Sequence, residues 1–158
     1  MPIRARFAAD LFGNSAQLEL LESPEARFLR ERIYFSDPRT TPLLTKGTPI
    51  LFYESGKDHG RSSIIAIARV VRTDLVAKES VLSEILRRGV LGKKVLARMG
   101  RSAFLAATMF DNIMHFRKPV SLNRLRALGF CDPANLITTR PISDDVLFAV
   151  IREGEPSV

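Results

Sequence analysis

The sequence predicts an α+β fold, a small curled β-barrel with flanking short helices, and three observations carry that prediction. First, Ile64-Ile65-Ala66-Ile67-Ala68-Arg69-Val70-Val71 is a β-branched run that is apolar on both faces. A strand buried on both sides belongs inside a barrel or under a helix. Second, the other strand-length runs are short and mixed with short amphipathic helix patterns. Third, a chain of 158 residues, 46% hydrophobic and 26% charged, has the size and composition of one globular domain. It buries roughly two-thirds of the surface its unfolded form exposes. Its single cysteine, Cys131, allows no intrachain disulfide, so packing alone must hold the fold.

Each element has its own local reason. Residues 16–20 (AQLEL) alternate apolar and polar, as a half-buried strand does. Ser23-Pro24-Glu25 then supplies an N-cap, a proline at the first helical position and an early acid, opening a helix through Arg32. Two prolines make Asp37-Pro38-Arg39-Thr40-Thr41-Pro42 a loop. Lys46-Gly47-Thr48-Pro49 turns into the apolar strand Ile50-Leu51-Phe52-Tyr53. Ser55 to Ser62 (SGKDHGRS) is a polar hairpin loop that returns into the strand over 64–71. Ala77, Val81, Leu82, Ile85 and Leu86 form one stripe of a helix over 78–88, stopped by Gly89.

A basic connector leads to a strand over 103–110 (AFLAATMF). Ser121 caps a short helix whose Leu122, Leu125 and Leu128 face one way before Gly129 ends it. Ser143 opens the last helix, with Asp144 and Asp145 at the positive end of its dipole. Val146, Leu147, Val150 and Ile151 supply its buried face. There is no internal repeat, low-complexity tract or Gly/Ser linker, so residues 1–158 read as a single domain. Its core spans about residues 45–152, with the N-terminal strand and helix packed on it.

Charge placement narrows the partner. Lysine and arginine number 24 against 17 acids, for a net charge of +7. Residues 78–104 hold 7 bases and 2 acids, whereas residues 105–158 hold 6 of each. Within 85–104, Arg87, Arg88, Lys93, Lys94, Arg98 and Arg101 appear with no acid at all. An uncompensated basic run suits a polyanion, because phosphate contacts release counterions. No segment has the length and apolarity of a signal peptide or a membrane span. The expectation is a cytoplasmic protein with no membrane partner.

The catalytic inventory is thin. His59 and His115 are the only histidines and neither has a ligand-spaced partner, so no metal site is expected. Cys131 has no base that the sequence places beside it. There is no Walker lysine loop and no Gly-x-Gly-x-x-Gly, and Leu86-Arg87-Arg88-Gly89-Val90-Leu91-Gly92 lacks the spacing of an acetyltransferase pyrophosphate loop. No cofactor and no catalytic residue are assigned.

Aromatic, hydroxyl and basic groups remain, in three clusters. Tyr53, Ser55, Lys57 and Arg61 surround the first hairpin; Phe110, Asp111, Phe116 and Lys118 form a second group; Thr139 and Arg140 form a third. An aromatic face stacks a base, a short polar side chain reads its edge, and Arg or Lys grips phosphate. Each of these aromatics also fits a place in the core.

The stretches Gly47-Thr48-Pro49-Ile50-Leu51-Phe52-Tyr53-Glu54-Ser55-Gly56-Lys57 and Ile65-Ala66-Ile67-Ala68-Arg69-Val70 resemble the paired strands of the PUA-like superfamily, which includes the EVE, YTH and ASCH domains. Phe116-Arg117-Lys118-Pro119-Val120-Ser121-Leu122-Asn123-Arg124-Leu125 is similar to its aromatic–basic–Pro–Val stretch ahead of a short helix. Asn135 to Ser143, before the terminal helix, resembles its closing segment. The resemblance covers residues 45–152 and implies a PUA-like β-barrel whose pocket accepts a flipped, often modified nucleobase. It implies that Tyr53, Ser55, Phe110, Asp111 and Phe116 border the pocket, while Lys57, Lys118 and Arg140 approach the backbone. With no tryptophan, the cage by which YTH domains hold a methylated adenine cannot form. The Gly-x-Lys-x-x-Glu-x-Arg signature of ASCH domains is also absent, since Ala97 stands where its glutamate would be.

These readings lead to a nucleic-acid-binding module, with RNA ahead of DNA, that recognises RNA or a modified base in a flipped-base pocket. Backbone contacts are assigned to Arg87, Arg88, Lys93 and Lys94. Two alternatives stay open. One is an enzyme on the same scaffold, a ribonuclease or nucleoside amidohydrolase. The other is a regulatory domain with a protein partner, such as an acetyltransferase in a toxin–antitoxin setting.

Overall fold

The structure, a computed structural model, describes residues 1–12, 31–56, 59–80, 100–130, 136 and 138–157. In chain order its elements are β1 (Pro2–Ile3), α1 (Ala5–Phe12), β2 (Arg32–Ser36), a 3-10 helix (Pro38–Leu43), β3 (Pro49–Glu54), β4 (Ser63–Ala77), a 3-10 turn (Lys78–Ser80), β5 (Phe104–Ser121), α2 (Leu122–Ala127), α3 (Asp144–Gly154) and β6 (Pro156–Ser157). The strand order is β1-β3-β4-β5-β2, with β6 also paired on β5. This is a mixed sheet with a few helices, the α+β class expected. It is not closed into a barrel, which corrects the sequence expectation. Among the described residues the path ends on β1 and β2, which do not pair with each other. A two-residue β1 has no length for the second ladder that closure needs.

The chain divides into two compact units, with β4 and β5 contributing residues to both. The first comprises Met1–Ala8, Pro49–Ala68 and Ile113–Val158. There β1 runs parallel to β3, with Pro2 opposite Tyr53 and Ile3 opposite Glu54. Its core gathers Leu51, Tyr53, Ile64, Ile67, Phe116, Val120, Leu125, Phe130, Leu136 and Val150. The last two helices start as the sequence dictates: the hydroxyls of Ser121 and Ser143 accept from the backbone N–H groups of Arg124 and Val146, each at 3.4 Å. α2 stops at Gly129, whose φ of +78° suits the residue without a Cβ. Near the end of α3, a Cβ at Gly154 would overlap the Phe116 ring, so only glycine lets helix and ring approach this closely.

The second unit comprises Ala9–Thr48 and Arg69–Asn112. In it β2 pairs antiparallel with the first half of β5, from Arg32 opposite Phe110 to Ser36 opposite Ala106. Ile33 and Phe35 are buried while Arg32, Tyr34 and Ser36 are half-buried, the alternation of a one-sided strand. Residues 105–110 of β5 are buried without interruption, as a strand covered on both faces should be.

Several local expectations change. The segment read as a loop at 37–42 is the 3-10 helix Pro38–Leu43, because Asp37 accepts from Arg39 N–H at 3.0 Å and Pro38 presets the first turn. Arg32 lies in β2 and does not end a helix. β4 runs beyond residue 71 to Ala77, since Arg72, Thr73 and Asp74 alternate along a half-exposed strand. β5 runs on from 110 to Ser121. Asp111-Asn112 reads locally as a turn, and Asn112 does take a left-handed φ of +50°, yet the strand continues through it. That irregularity is the kind a β-bulge introduces. Lys78–Ser80 form a 3-10 turn, while 81–88, the strand at 16–20 and the helix from Ser23 lie outside the described residues.

Candidate nucleic-acid interface

The hairpin turn between β3 and β4 is built around a buried acid. Glu54, at the end of β3, accepts the backbone N–H of Arg61 at 2.7 Å, and its second oxygen lies 3.8 Å from the Arg61 guanidinium. Ser63 Oγ donates to Arg61 O at 3.0 Å. Ser62 O accepts from Leu122 N–H at 2.9 Å, tying the turn to the start of α2. His59 and Ser62 both take left-handed φ values, +63° and +49°, which non-glycine residues adopt only when their surroundings enforce it. The result is a tight turn that holds the Arg61 side chain at the surface. Beside it, Ser55 N–H donates to Ile3 O at 2.9 Å, while Ser55 Oγ is buried with no hydrogen-bond partner in the protein. Lys57 lies outside the described residues.

The three aromatic candidates are packed in cores. Tyr53 is 8% exposed and Phe116 is 5% exposed, both in the core of the first unit. Phe110, in the second unit, is 0% exposed. Their ring faces are therefore turned to protein, the other of the two places the sequence allowed them. Asp111, also in the second unit, is held by Arg69 through a two-pronged contact at 2.7 and 3.0 Å. Hydrogen bonding from that guanidinium keeps the Asp111 carboxyl below its ordinary range.

Lys118 and Arg140 are exposed and Thr139 is half-buried, all in the first unit. Lys118 pairs with Glu155 at 2.6 Å, so its charge is shared with an acid at the end of α3. Arg140 pairs with no described carboxylate. The first unit thus brings together Tyr53 and Phe116 in one core, and Ser55 and Arg61 on one turn. Phe110 and Asp111 belong to the other unit, while Arg87, Arg88, Lys93 and Lys94 lie outside the described residues.

The sequence does not single out Glu54, Arg69 or Arg124 as site residues. Glu54 and Arg61 flank the hairpin loop, and that spacing was the available signal. Arg124 pairs with Glu153 across α2 and α3, a contact that no local pattern announces. Among the described residues, no group of three or more His, Cys, Asp or Glu side chains gathers to hold a metal ion. No helix among them is long and apolar enough to cross a membrane.

No protein-family model matches the sequence, and no curated protein matches it either. Solved structures do match in fold. An ASCH protein from Zymomonas mobilis superposes with a TM-score of 0.65 at 14% identity, over 99% of this chain and 94% of that one. A tyrosine-to-phenylalanine variant of that protein gives 0.69 at 13% identity, covering 99% and 96% of the two chains. A serine-to-alanine variant gives 0.69 at 13%, covering 99% and 94%. The resemblance to PUA-like domains is met at the level of the fold: over nearly its whole length, this chain has the architecture of an ASCH protein.

Proposed function

We propose that this protein is a PUA-like nucleic-acid-binding module, acting as one domain in the cytoplasm, that takes RNA in preference to DNA. The observation that carries this reading is the full-length likeness to an ASCH fold. The excess of 24 basic over 17 acidic residues supports it, as a phosphate-binding protein requires. The β3–β4 turn is the centre of the proposed site. Ser55 Oγ, buried without a partner, is a polar group whose hydrogen-bonding capacity a base edge would satisfy. Arg61, Lys57, Arg140 and Lys118 take backbone phosphates, with Thr139 next to Arg140 in the chain. The ligand class is a single strand from which one base, plain or modified, is turned out of the stack.

The test is fluorescence anisotropy with labelled single-stranded RNA and DNA of one sequence, alongside mass spectrometry of nucleosides from co-purifying nucleic acid. Expected are salt-dependent saturable binding, tighter for RNA, and an enriched nucleoside. Ser55→Ala should weaken binding while leaving stability unchanged or raised, since it removes an unpaired buried hydroxyl. No saturable binding at low salt would overturn the reading, and cleavage of the RNA would replace it with an enzyme.

A further inference from the structure

α3 has a face that the core does not use. Val146, Leu147, Val150 and Ile151 pack inward, as the periodicity predicts. Phe148 falls between them in the chain but outside their arc on the helical wheel, and it is 60% exposed, unlike Tyr53, Phe110 and Phe116. One turn further on the same face stands Arg152, four residues away, the spacing at which helix side chains become neighbours. Phe104 of β5 is exposed as well, at 51%, but Phe148 has a cation one turn away on its own helix, and most of its surface is open to a ligand.

The surroundings of that face are cationic. Around the C-terminal end of α3 lie Arg117 and Lys118 of β5, Arg124 of α2, and Arg152 itself, all exposed. Only Glu153 and Glu155 oppose them there. Glu153 pairs with Arg124, Glu155 pairs with Lys118 at 2.6 Å, and Glu155 O accepts from Arg117 N–H at 3.4 Å. These contacts tie the three elements together. The Glu153 carboxyl is held below its ordinary range first by the Arg124 hydrogen bond, and the nearby Lys118 charge adds to the effect. Four cations meet two carboxylates, and no described carboxylate pairs with Arg117 or Arg152. The neutral total of residues 105–158 conceals this, because Asp111 and Asp132 complete the balance together with Asp144 and Asp145 at the opposite end of α3. The two acids at its first turn leave the C-terminal half of the helix as the end that suits a polyanion.

We propose that the C-terminal half of α3 is a second contact surface for single-stranded RNA, in which Phe148 stacks a base and Arg152, with the cations beside it, takes the adjoining phosphates. The inference rests on the nucleic-acid reading and moves the stacking role from the buried aromatics to an exposed one. Stacking on an aromatic ring is tolerant of base identity, so this surface holds the strand without reading it.

The experiment is a salt titration of binding to a labelled single-stranded oligouridine RNA, on wild type, Phe148→Ala, Phe148→Tyr and Arg152→Gln. All three changes are at exposed positions, and circular dichroism checks that each variant is folded. Phe148→Ala should weaken binding roughly fivefold to a hundredfold, the range for losing one base–aromatic stack, with no change in the slope of log K against log salt. Phe148→Tyr should restore it. Arg152→Gln should flatten that slope by about 0.7, one phosphate contact on a single strand. If wild type binds and both Phe148→Ala and Arg152→Gln match it, this surface is not the contact and the inference falls alone. A wild type that binds no RNA overturns the nucleic-acid reading and the inference with it. If Phe148→Ala leaves affinity intact but shifts the elution volume of the free protein, the ring is an interface between copies and the RNA role is overturned.

Discussion

Phe116 and Gly154 are coupled by space alone. The ring is 5% exposed within the first unit's core, and the missing side chain at Gly154 makes its room. Phe116→Ala should cost about 3–5 kcal/mol, the usual range for deleting a buried phenylalanine. Gly154→Ala should cost about 1–3 kcal/mol by overpacking, although it adds one methyl group. Urea unfolding checks both: the midpoint falls while the slope stays constant. A fully stable Phe116→Ala protein would show that the ring carries no packing energy. The burial that makes Phe116 expensive to remove is also what takes its face away from a base.

At the scale of elements, β5 holds two residues whose roles separate cleanly. Asn112 sits at a φ of +50° inside the strand, where a β-branched residue clashes with its own backbone. Asn112→Val should destabilise by about 1–2 kcal/mol, whereas Asn112→Gly should be tolerated. Equal thermal midpoints for the two variants would mean that the strand straightens at no cost. One residue earlier, Asp111 is paired with Arg69 of β4, and its carboxyl is held below the ordinary range by that hydrogen bond. A depressed acid stabilises the folded state above its unfolded pKa, and that contribution is lost as pH falls through the folded value. Arg69 stays charged throughout. Wild type should therefore lose more stability than Asp111→Asn on acidification from neutral pH to about pH 2. Matching acid limbs would show that this half-solvated pair contributes nothing.

For the whole molecule the governing quantity is charge. Of the net +7, five charges fall in residues 78–104, with seven bases and two acids. Six cations between Arg87 and Arg101 have no acid within their own segment to pair with, so burying them all would be costly. Replacing Arg87, Arg88, Lys93 and Lys94 with Gln should flatten the salt slope for RNA by about one unit or more. That corresponds to roughly 0.7 per lost phosphate contact. It should weaken binding to all sequences alike, because phosphate contacts position a strand without reading it. Fluorescence anisotropy across a salt series measures both effects. An unchanged slope would mean that this segment faces away from the RNA.

Sequence alone determined what local chemistry controls. Ser121 and Ser143 announce the helices they cap, Gly129 announces an end, and the apolar runs at 50–53 and 64–71 announce buried strands. Each of these signals acts within a few residues, so a single chain reading finds it. Strand length, sheet closure and exposure depend on partners far along the chain. Asp111-Asn112 has the residues of a turn, yet pairing on both sides of it carries β5 through to Ser121. The barrel expected from a doubly apolar strand is an open path, because the strands at its ends do not meet. The periodicity of α3 already leaves Phe148 off that helix's buried face, whereas Tyr53 and Phe116 are aromatic residues near polar ones with nothing local to decide their burial. Only the tertiary packing buries those two, since burial is set by which surfaces meet and not by the residue that bears them.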